Sequence, residues 1–310
     1  MGDCLLLTSP VRALKEEFPG FRVSVLVEEK FAPCFDRNPD FTQVIVARGK
    51  LPTALTLLRR RFDAIINLHG GPTSLAYACF AWGRRIGGEQ YQYRKLYHGR
   101  FPAPEPAAHT VESTLSTLRW LGVKAGQPPP LRYENHPDEA NRMTQRFEGR
   151  PYAVIHPASL MSTKRWDPER FAAVARALQE RDLEIALTCG PGEEVVAGQV
   201  AKGIPSTKIL LGLTIPELAE LIRGAKIYVG NDSGPMHLAA AVGTPTVAIW
   251  GSSDARRWHP WYVDHRVVQN PFECNPCPGY RCHVANSPLC IESVTVQQVN
   301  EAAKQLLEQC

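Results

Sequence analysis

An α/β fold in two domains is what this sequence predicts, and three observations predict it. Strand-like and helix-like segments alternate almost throughout. The alternation breaks once, around Pro128, and then restarts. The chain has 310 residues, 44% of them hydrophobic, which is enough to bury two cores of ordinary size. Strands alternating with helices read as a parallel sheet covered on both faces, so each half is expected to be Rossmann-like.

In the first half, Arg22 to Val27 is β-branched and apolar between Pro19-Gly20 and a charged run, and reads as a buried strand. Gln43 to Val46 is a short strand, Leu51 to Arg61 a helix with basic residues in its last turn, and Ala64 to Leu68 a strand. Residues from Gly83 to Ala108, rich in Gly, Arg, Tyr and Pro, show no period and are expected to be loop. Helices follow at Val111 to Leu121 and Pro137 to Phe147. The prolines from Pro128 and the polar residues up to Gly149 place the boundary between domains 1–148 and 149–310.

The second half restarts with a strand at Tyr152 to His156, a helix at Pro168 to Arg181 and a strand at Glu184 to Cys189. Helices at Glu193 to Lys202 and Thr214 to Gly224 follow, the second with Thr214 as N-cap. Then come a strand at Lys226 to Val229, a helix at Pro235 to Val242, a strand at Thr246 to Trp250 and a last helix at Val296 to Glu308. Ligands in such folds bind beyond the carboxyl ends of the strands.

A formal net charge of +4 gives no argument for nucleic acid, and no basic stripe with interleaved aromatics appears. No apolar run reaches the roughly 18 residues of a membrane span. The opening Met1-Gly2-Asp3-Cys4-Leu5 lacks a basic n-region, and Pro10 and Arg12 cut its apolar run. A cytoplasmic protein is the expectation. Of nine cysteines, Cys4, Cys34, Cys79, Cys189 and Cys310 are scattered, while Cys274, Cys277, Cys282 and Cys290 share one short stretch. Four thiolates so spaced suit a structural zinc knuckle; a disulfide or free thiols are the alternatives.

Chemistry concentrates in three segments that each follow a strand. Asp232-Ser233-Gly234-Pro235-Met236-His237 is a tight turn feeding a helix, whose free N–H groups and dipole make an anion site suited to a diphosphate. The alternative is an ordinary capped helix start. Ser159 and then Lys164-Arg165-Trp166 bring a hydroxyl and a point charge to a strand end, where Lys164 suits phosphate; a solvated lysine is the plainer reading. Glu193, after Gly190-Pro191-Gly192, offers a carboxylate for ribose hydroxyls, or simply stabilises a helix N-terminus.

Together these segments resemble the donor-binding half of glycosyltransferase family nine, the heptosyltransferase family, of GT-B architecture. The resemblance extends to Gly2-Asp3 with Arg12-Ala13-Leu14-Lys15, to Arg59-Arg60-Arg61-Phe62-Asp63, to Arg84-Arg85-Ile86-Gly87 and to His109-Thr110-Val111-Glu112. It implies two Rossmann-like domains facing a cleft, and inverting transfer of heptose from ADP-heptose to an anionic, lipid-linked lipopolysaccharide core acceptor at the inner membrane surface. In that reading Asp3 is the general base that deprotonates the attacking hydroxyl. Ser159, Lys164, Glu193, Asp232, Ser233, Gly234 and His237 bind the donor, with Leu213 and Thr214 at the adenine. Arg59, Arg60, Arg61, Arg84 and Arg85 face the acceptor, and no metal is required for catalysis. Against the family pattern, the strand before Gly-Asp is missing from this N-terminus, and the last helix is expected to pack back on the first domain.

Two readings from other classes stand beside this one. An NAD-dependent oxidoreductase needs G-x-G-x-x-G, which Gly190-Pro191-Gly192 begins but does not complete. A zinc-stabilised nucleic-acid-binding protein has only the cysteine stretch and modest basicity in its favour. A relative that transfers another sugar is a third alternative.

Overall fold

A computed structural model of the chain describes residues 1–204, 206–277 and 279–309; Cys310 falls outside them. The chain divides into two compact units, Leu7–Pro129 and Met1–Leu6 with Pro130–Cys310.

The unit Leu7–Pro129 contains most of helix α1 (Gly2–Glu17), β1 (Ser24–Glu28), β2 (Gln43–Ala47), α2 (Lys50–Leu58), β3 (Arg61–Ile66), α3 (Pro72–Phe80), β4 (Trp82–Gly88), β5 (Gly99–Phe101) and α4 (Thr110–Trp120). Its strands pair in parallel but form two sheets, β1-β2 and β3-β4-β5. Helix α1 already includes Asp3 in its first turn, and its buried Leu5, Leu6 and Val11 carry an apolar face along it. One expectation is corrected here. The stretch from Gly83 contains two strands rather than only loop. Gly83, at φ +157°, packs where a side chain would collide with the Phe62 carbonyl. That lets a glycine- and arginine-rich segment join the sheet without an apolar signature.

The other unit carries α5 (Pro137–Gln145), β6 (Tyr152–His156), α6 (Pro168–Gln179), β7 (Glu184–Cys189), α7 (Glu194–Ala201), β8 (Lys208–Leu211), α8 (Ile215–Arg223), β9 (Ile227–Asn231), α9 (Gly234–Val242), β10 (Thr246–Ile249), α10 (Ala255–Trp258), β11 (His265–Val268), α11 (Leu289–Glu292) and α12 (Val296–Leu307). Its six parallel strands run in the order β11-β10-β9-β6-β7-β8. Counted from β6, this is the doubly wound order 3-2-1-4-5-6, whose direction reverses between β6 and β9. Every residue of β6, β9 and β10 is buried, as expected for a parallel sheet covered on both faces. Helix starts follow local chemistry. Asp167 caps α6 by accepting from the Glu169 and Arg170 N–H groups, with Pro168 entering the first turn, and Thr214 with Glu217 forms a capping box on α8.

The unit boundary at Pro129/Pro130 lies upstream of residue 148 because α5 packs on α8. Helix α12 packs on α6, β9, β10 and β11 within its own unit. Its apolar stripe of Val299, Ala302, Ala303 and Leu306 closes the same core as Phe171 and Ile185. Leu306→Ala is therefore expected to cost about 2–5 kcal/mol of stability, the range for truncating a buried leucine. An unchanged urea midpoint would show that α12 does not seal this core.

Candidate functional site

The order reversal puts the carboxyl ends of β6 and β9 side by side, and a buried asparagine joins the loops that leave them. Asn231, the last residue of β9, donates from Nδ2 to the Pro157 carbonyl at 2.7 Å and accepts at Oδ1 from the Trp166 N–H at 3.2 Å. Trp166 is itself buried against Phe171 and donates its indole N–H to the Val294 carbonyl. The loop between Pro157 and Trp166 is thus pinned at both ends. In it Arg165 donates twice to the Ser159 carbonyl, and a single 3-10 turn, Ser162–Lys164, presents Lys164.

Lys164 Nζ lies 2.6 Å from Asp232 Oδ2, and Ser253 donates to the same oxygen. The lysine is mostly buried and Asp232 almost wholly so. A pair taken this far from water needs good geometry and a further hydrogen bond to offset its desolvation; Ser253 supplies that bond. Ser233 is extended and heads α9 without capping it, its hydroxyl set beside the buried Tyr228 phenol. His237, one turn into α9, is buried, and its Nδ1 has no partner among the described residues. Burial pushes the His237 pKa down to about 4; the carboxylates of Asp232 and Asp3 oppose that shift and Lys164 adds to it. His237 is therefore neutral at pH 7 and offers a hydrogen bond rather than a charge.

Asp3 sits in the exposed first turn of α1, in the same compact unit as this turn. A Cβ built on the adjacent Gly2 would stand 2.7 Å from His237 Cδ2. Glu193 follows β7, where its Oε2 accepts from the Gly190 N–H at 2.9 Å. One carboxylate oxygen is thus held by its own turn. Leu213 and Thr214 follow β8, Leu213 half-buried and Thr214 occupied in capping α8. The residues expected to bind a donor thus follow four adjacent strands, β9-β6-β7-β8.

The five arginines are not gathered in this way. Arg59 ends α2, Arg60 bonds to Gln43, and Arg61 opens β3 at the amino end of its sheet. Arg84 and Arg85 lie within β4, where Arg85 bonds to the Leu96 carbonyl and to His98. Only the carboxyl ends of strands normally carry ligand.

Asn231 and Ser253 escaped the sequence reading as site-building residues. The first stands beside Asp232 in the turn motif; the second has no local signal at all. The cysteine stretch also has a definite place. Ser162 donates to the Tyr280 carbonyl, Thr163 to that of Gly279, and Ser252 to the Thr163 hydroxyl, while the Cys277 N–H reaches the Ser252 carbonyl at 2.7 Å. Gly251 leaves room that any side chain would take from the Thr163 carbonyl. Among the described residues Cys274, Cys277, Cys282 and Cys290 are free thiols. Burial, with Cys274 and Cys282 nearby, raises the Cys290 thiol pKa. No three His, Cys, Asp or Glu side chains are arranged to hold a metal among the described residues.

With this geometry in view, residues 52–287 match the model of glycosyltransferase family 9 (heptosyltransferase). The chain is 30% identical to lipopolysaccharide heptosyltransferase 3 of Escherichia coli, over 84% of this chain and 83% of that one. Its fold matches a glycosyl transferase family 9 structure from Veillonella parvula with a TM-score of 0.86 at 20% identity, covering 100% and 95% of the two chains. It also matches the Escherichia coli ADP-heptose lipopolysaccharide heptosyltransferase II with a TM-score of 0.81 at 21% identity, covering 99% and 96%. The fold is that of the GT-B glycosyltransferases. The chain belongs to glycosyltransferase family 9, the heptosyltransferases, and is a glycosyltransferase.

Two buried histidines make stability depend on pH. His156, which bonds to Thr188, and His237 are each pushed down to about 4 by burial. The unfolded chain titrates these groups near 6.5 and so binds more protons than the native state between 6.5 and 4. Stability is expected to be level above pH 6.5 and to fall as pH drops from there to about 4. His156→Gln should flatten part of that slope in urea titrations at several pH values; an unaltered slope removes His156 from the account.

Proposed function

We propose that this chain transfers heptose, with inversion, from ADP-heptose to a lipopolysaccharide core acceptor. The observation that carries the reading is the site at the order reversal of the six-stranded sheet. There Lys164, the Asp232-Ser233-Gly234 turn and neutral His237 stand together at the head of α9. Membership in the family and the names of its relatives point to the same donor and acceptor.

In this reading the diphosphate lies against the amino end of α9, where backbone N–H groups and the helix dipole favour an anion. Lys164 turns part of its charge from Asp232 toward the departing phosphate oxygen. The acceptor hydroxyl oxygen attacks the anomeric carbon, the bond from that carbon to the diphosphate oxygen breaks, and ADP leaves. The hydroxyl proton passes to the Asp3 carboxylate. Ammonium and N–H groups aimed at the developing charge supply the stabilisation. Ser159, Glu193, Leu213 and Thr214 line the path from β6 to β8 along which the nucleoside extends. The acceptor is an anionic, lipid-linked saccharide, so the enzyme works in the cytoplasm at the membrane surface, and Arg84 and Arg85 are offered to the acceptor's charges. Arg59, Arg60 and Arg61, at the other end of their sheet, are less well placed for that task.

The reading is tested with a nucleotide panel and two variants. ADP should raise the thermal midpoint more than UDP, GDP or CMP, because only a ligand of the native state stabilises it; a preference for UDP or GDP points to a different donor sugar nucleotide. Lys164→Ala should weaken ADP binding by about 1–3 kcal/mol, the scale for a hydrogen bond to a charged group, and unchanged affinity in calorimetry takes Lys164 out of the site. Asp3→Asn should leave ADP affinity intact and cut turnover roughly a hundredfold or more, the scale of lost acid–base help. A fully active Asp3→Asn enzyme would leave the base to another residue.

A further inference from the structure

Helix α2 carries apolar side chains on both of its faces. Its inward face, with Thr53, Ala54 and Leu57, is buried in the unit Leu7–Pro129. Its outward face repeats leucine at i, i+4 and i+7, and these side chains stand in solvent: Leu51 is 70% exposed, Leu55 49% and Leu58 44%. A helix apolar all round is ordinarily buried. The stripe continues onto Trp82, 61% exposed, which donates its indole N–H to the Leu58 carbonyl at 3.1 Å. Trp82 opens β4 in register with Arg61 of β3. Scattered exposed leucines need no explanation, whereas a contiguous apolar stripe with a polar rim marks an interaction surface.

The charge around the stripe selects its partner. Between Asp40 and Asp63 the sequence has five basic residues and no acidic one, and of the five Arg48 is paired with Glu29. Arg59 and Arg61, at the end of the stripe, are exposed and make no ion pair among the described residues. Leucines and a tryptophan on one face, bordered by uncompensated arginines, are the composition of a segment that lies in the plane of an anionic bilayer. A protein partner of matching chemistry would need acidic residues around an apolar centre; a second copy of this chain would bring only the same basic rim, Lys50 at one end and Arg59 and Arg61 at the other, to the contact.

We infer that the outer face of α2, with Trp82 and the Arg59 and Arg61 rim, is the surface by which this protein docks on an anionic lipid bilayer. The inference rests on the proposed function only in taking the acceptor as lipid-linked. It also gives Arg59 and Arg61 a role that does not require them at a strand's carboxyl end. Helix α2 runs from the carboxyl end of β2 toward the amino end of β3, so a bilayer along its outer face meets the side of the unit. The apolar face gives binding that persists in salt, and the arginines give the part that salt screens.

The test is flotation of the full chain with vesicles of phosphatidylcholine alone and with phosphatidylglycerol added. The wild-type chain should float with the anionic vesicles, less so as salt rises, and weakly or not at all with the neutral ones. The triple variant Leu51→Gln, Leu55→Gln, Leu58→Gln should reduce bound protein by about tenfold or more while keeping the wild-type circular dichroism and ADP affinity. Arg59→Gln with Arg61→Gln should bring anionic vesicles close to the level of neutral ones. Wild-type protein that ignores anionic vesicles, or a folded triple variant that binds them as well as wild type, overturns the proposal. So does a wild-type dimer in sedimentation that the triple variant dissolves while neither protein floats, since a second copy then covers the face. No sugar nucleotide or saccharide is present in the flotation, so its failure leaves heptose transfer standing, and failure of heptose transfer leaves the flotation result standing.

Discussion

One buried amide holds the candidate site together. Asn231 is fully buried, and its two polar atoms are spent on Pro157 and Trp166, which belong to another strand's loop. An unsatisfied amide in that position would cost on the order of 1–3 kcal/mol per lost partner, so the loop from Pro157 to Trp166 and the end of β9 are fixed as one piece. Lys164 and Asp232 are the residues this arrangement brings within 2.6 Å. The strand order makes the arrangement possible, since β6 and β9 are neighbours only because the sheet reverses direction between them.

A second layer of support comes from the cysteine stretch. Its backbone accepts hydrogen bonds from Ser162 and Thr163, the two residues directly before Lys164, and its Cys277 N–H meets the loop after β10. The site-bearing loop is thus held by strand ends on one side and by an irregular, late segment on the other. Irregular backbone close to a site has to place its polar groups somewhere, and here they hold the lysine-bearing turn. Burial keeps His237 neutral, so the positive charge at the head of α9 is that of Lys164, paired with Asp232.

The two units were unequally legible in sequence, for a physical reason. In the later unit the strands are buried on both faces, so Tyr152–His156, Glu184–Cys189 and Thr246–Ile249 read as near-continuous apolar runs with bounded ends. Thr214 announced its helix because a side-chain cap is local. In the other unit, β4 reads Trp-Gly-Arg-Arg-Ile-Gly-Gly and is partly exposed, which carries neither a run nor an alternation. β8 and β11, short strands at the edges of their sheet, were passed over for the same lack of signal.

By itself the sequence determined the parallel α/β class, the turn from Asp232 to His237, the lysine loop and most helix starts, because these rest on propensities and spacings within a dozen residues. The family resemblance came from the same local motifs. Tertiary structure decided what no local pattern contains. It placed β6 beside β9 and engaged Lys164 with Asp232, whose same oxygen accepts from Ser253. It drew Asp3 into the unit that holds the D-S-G-P turn and kept α12 on its own core. It also separated Arg59–Arg61 from the ligand end of their sheet. Pairings between residues sixty or more positions apart depend on strand order and burial, and those are settled only when the sheet assembles.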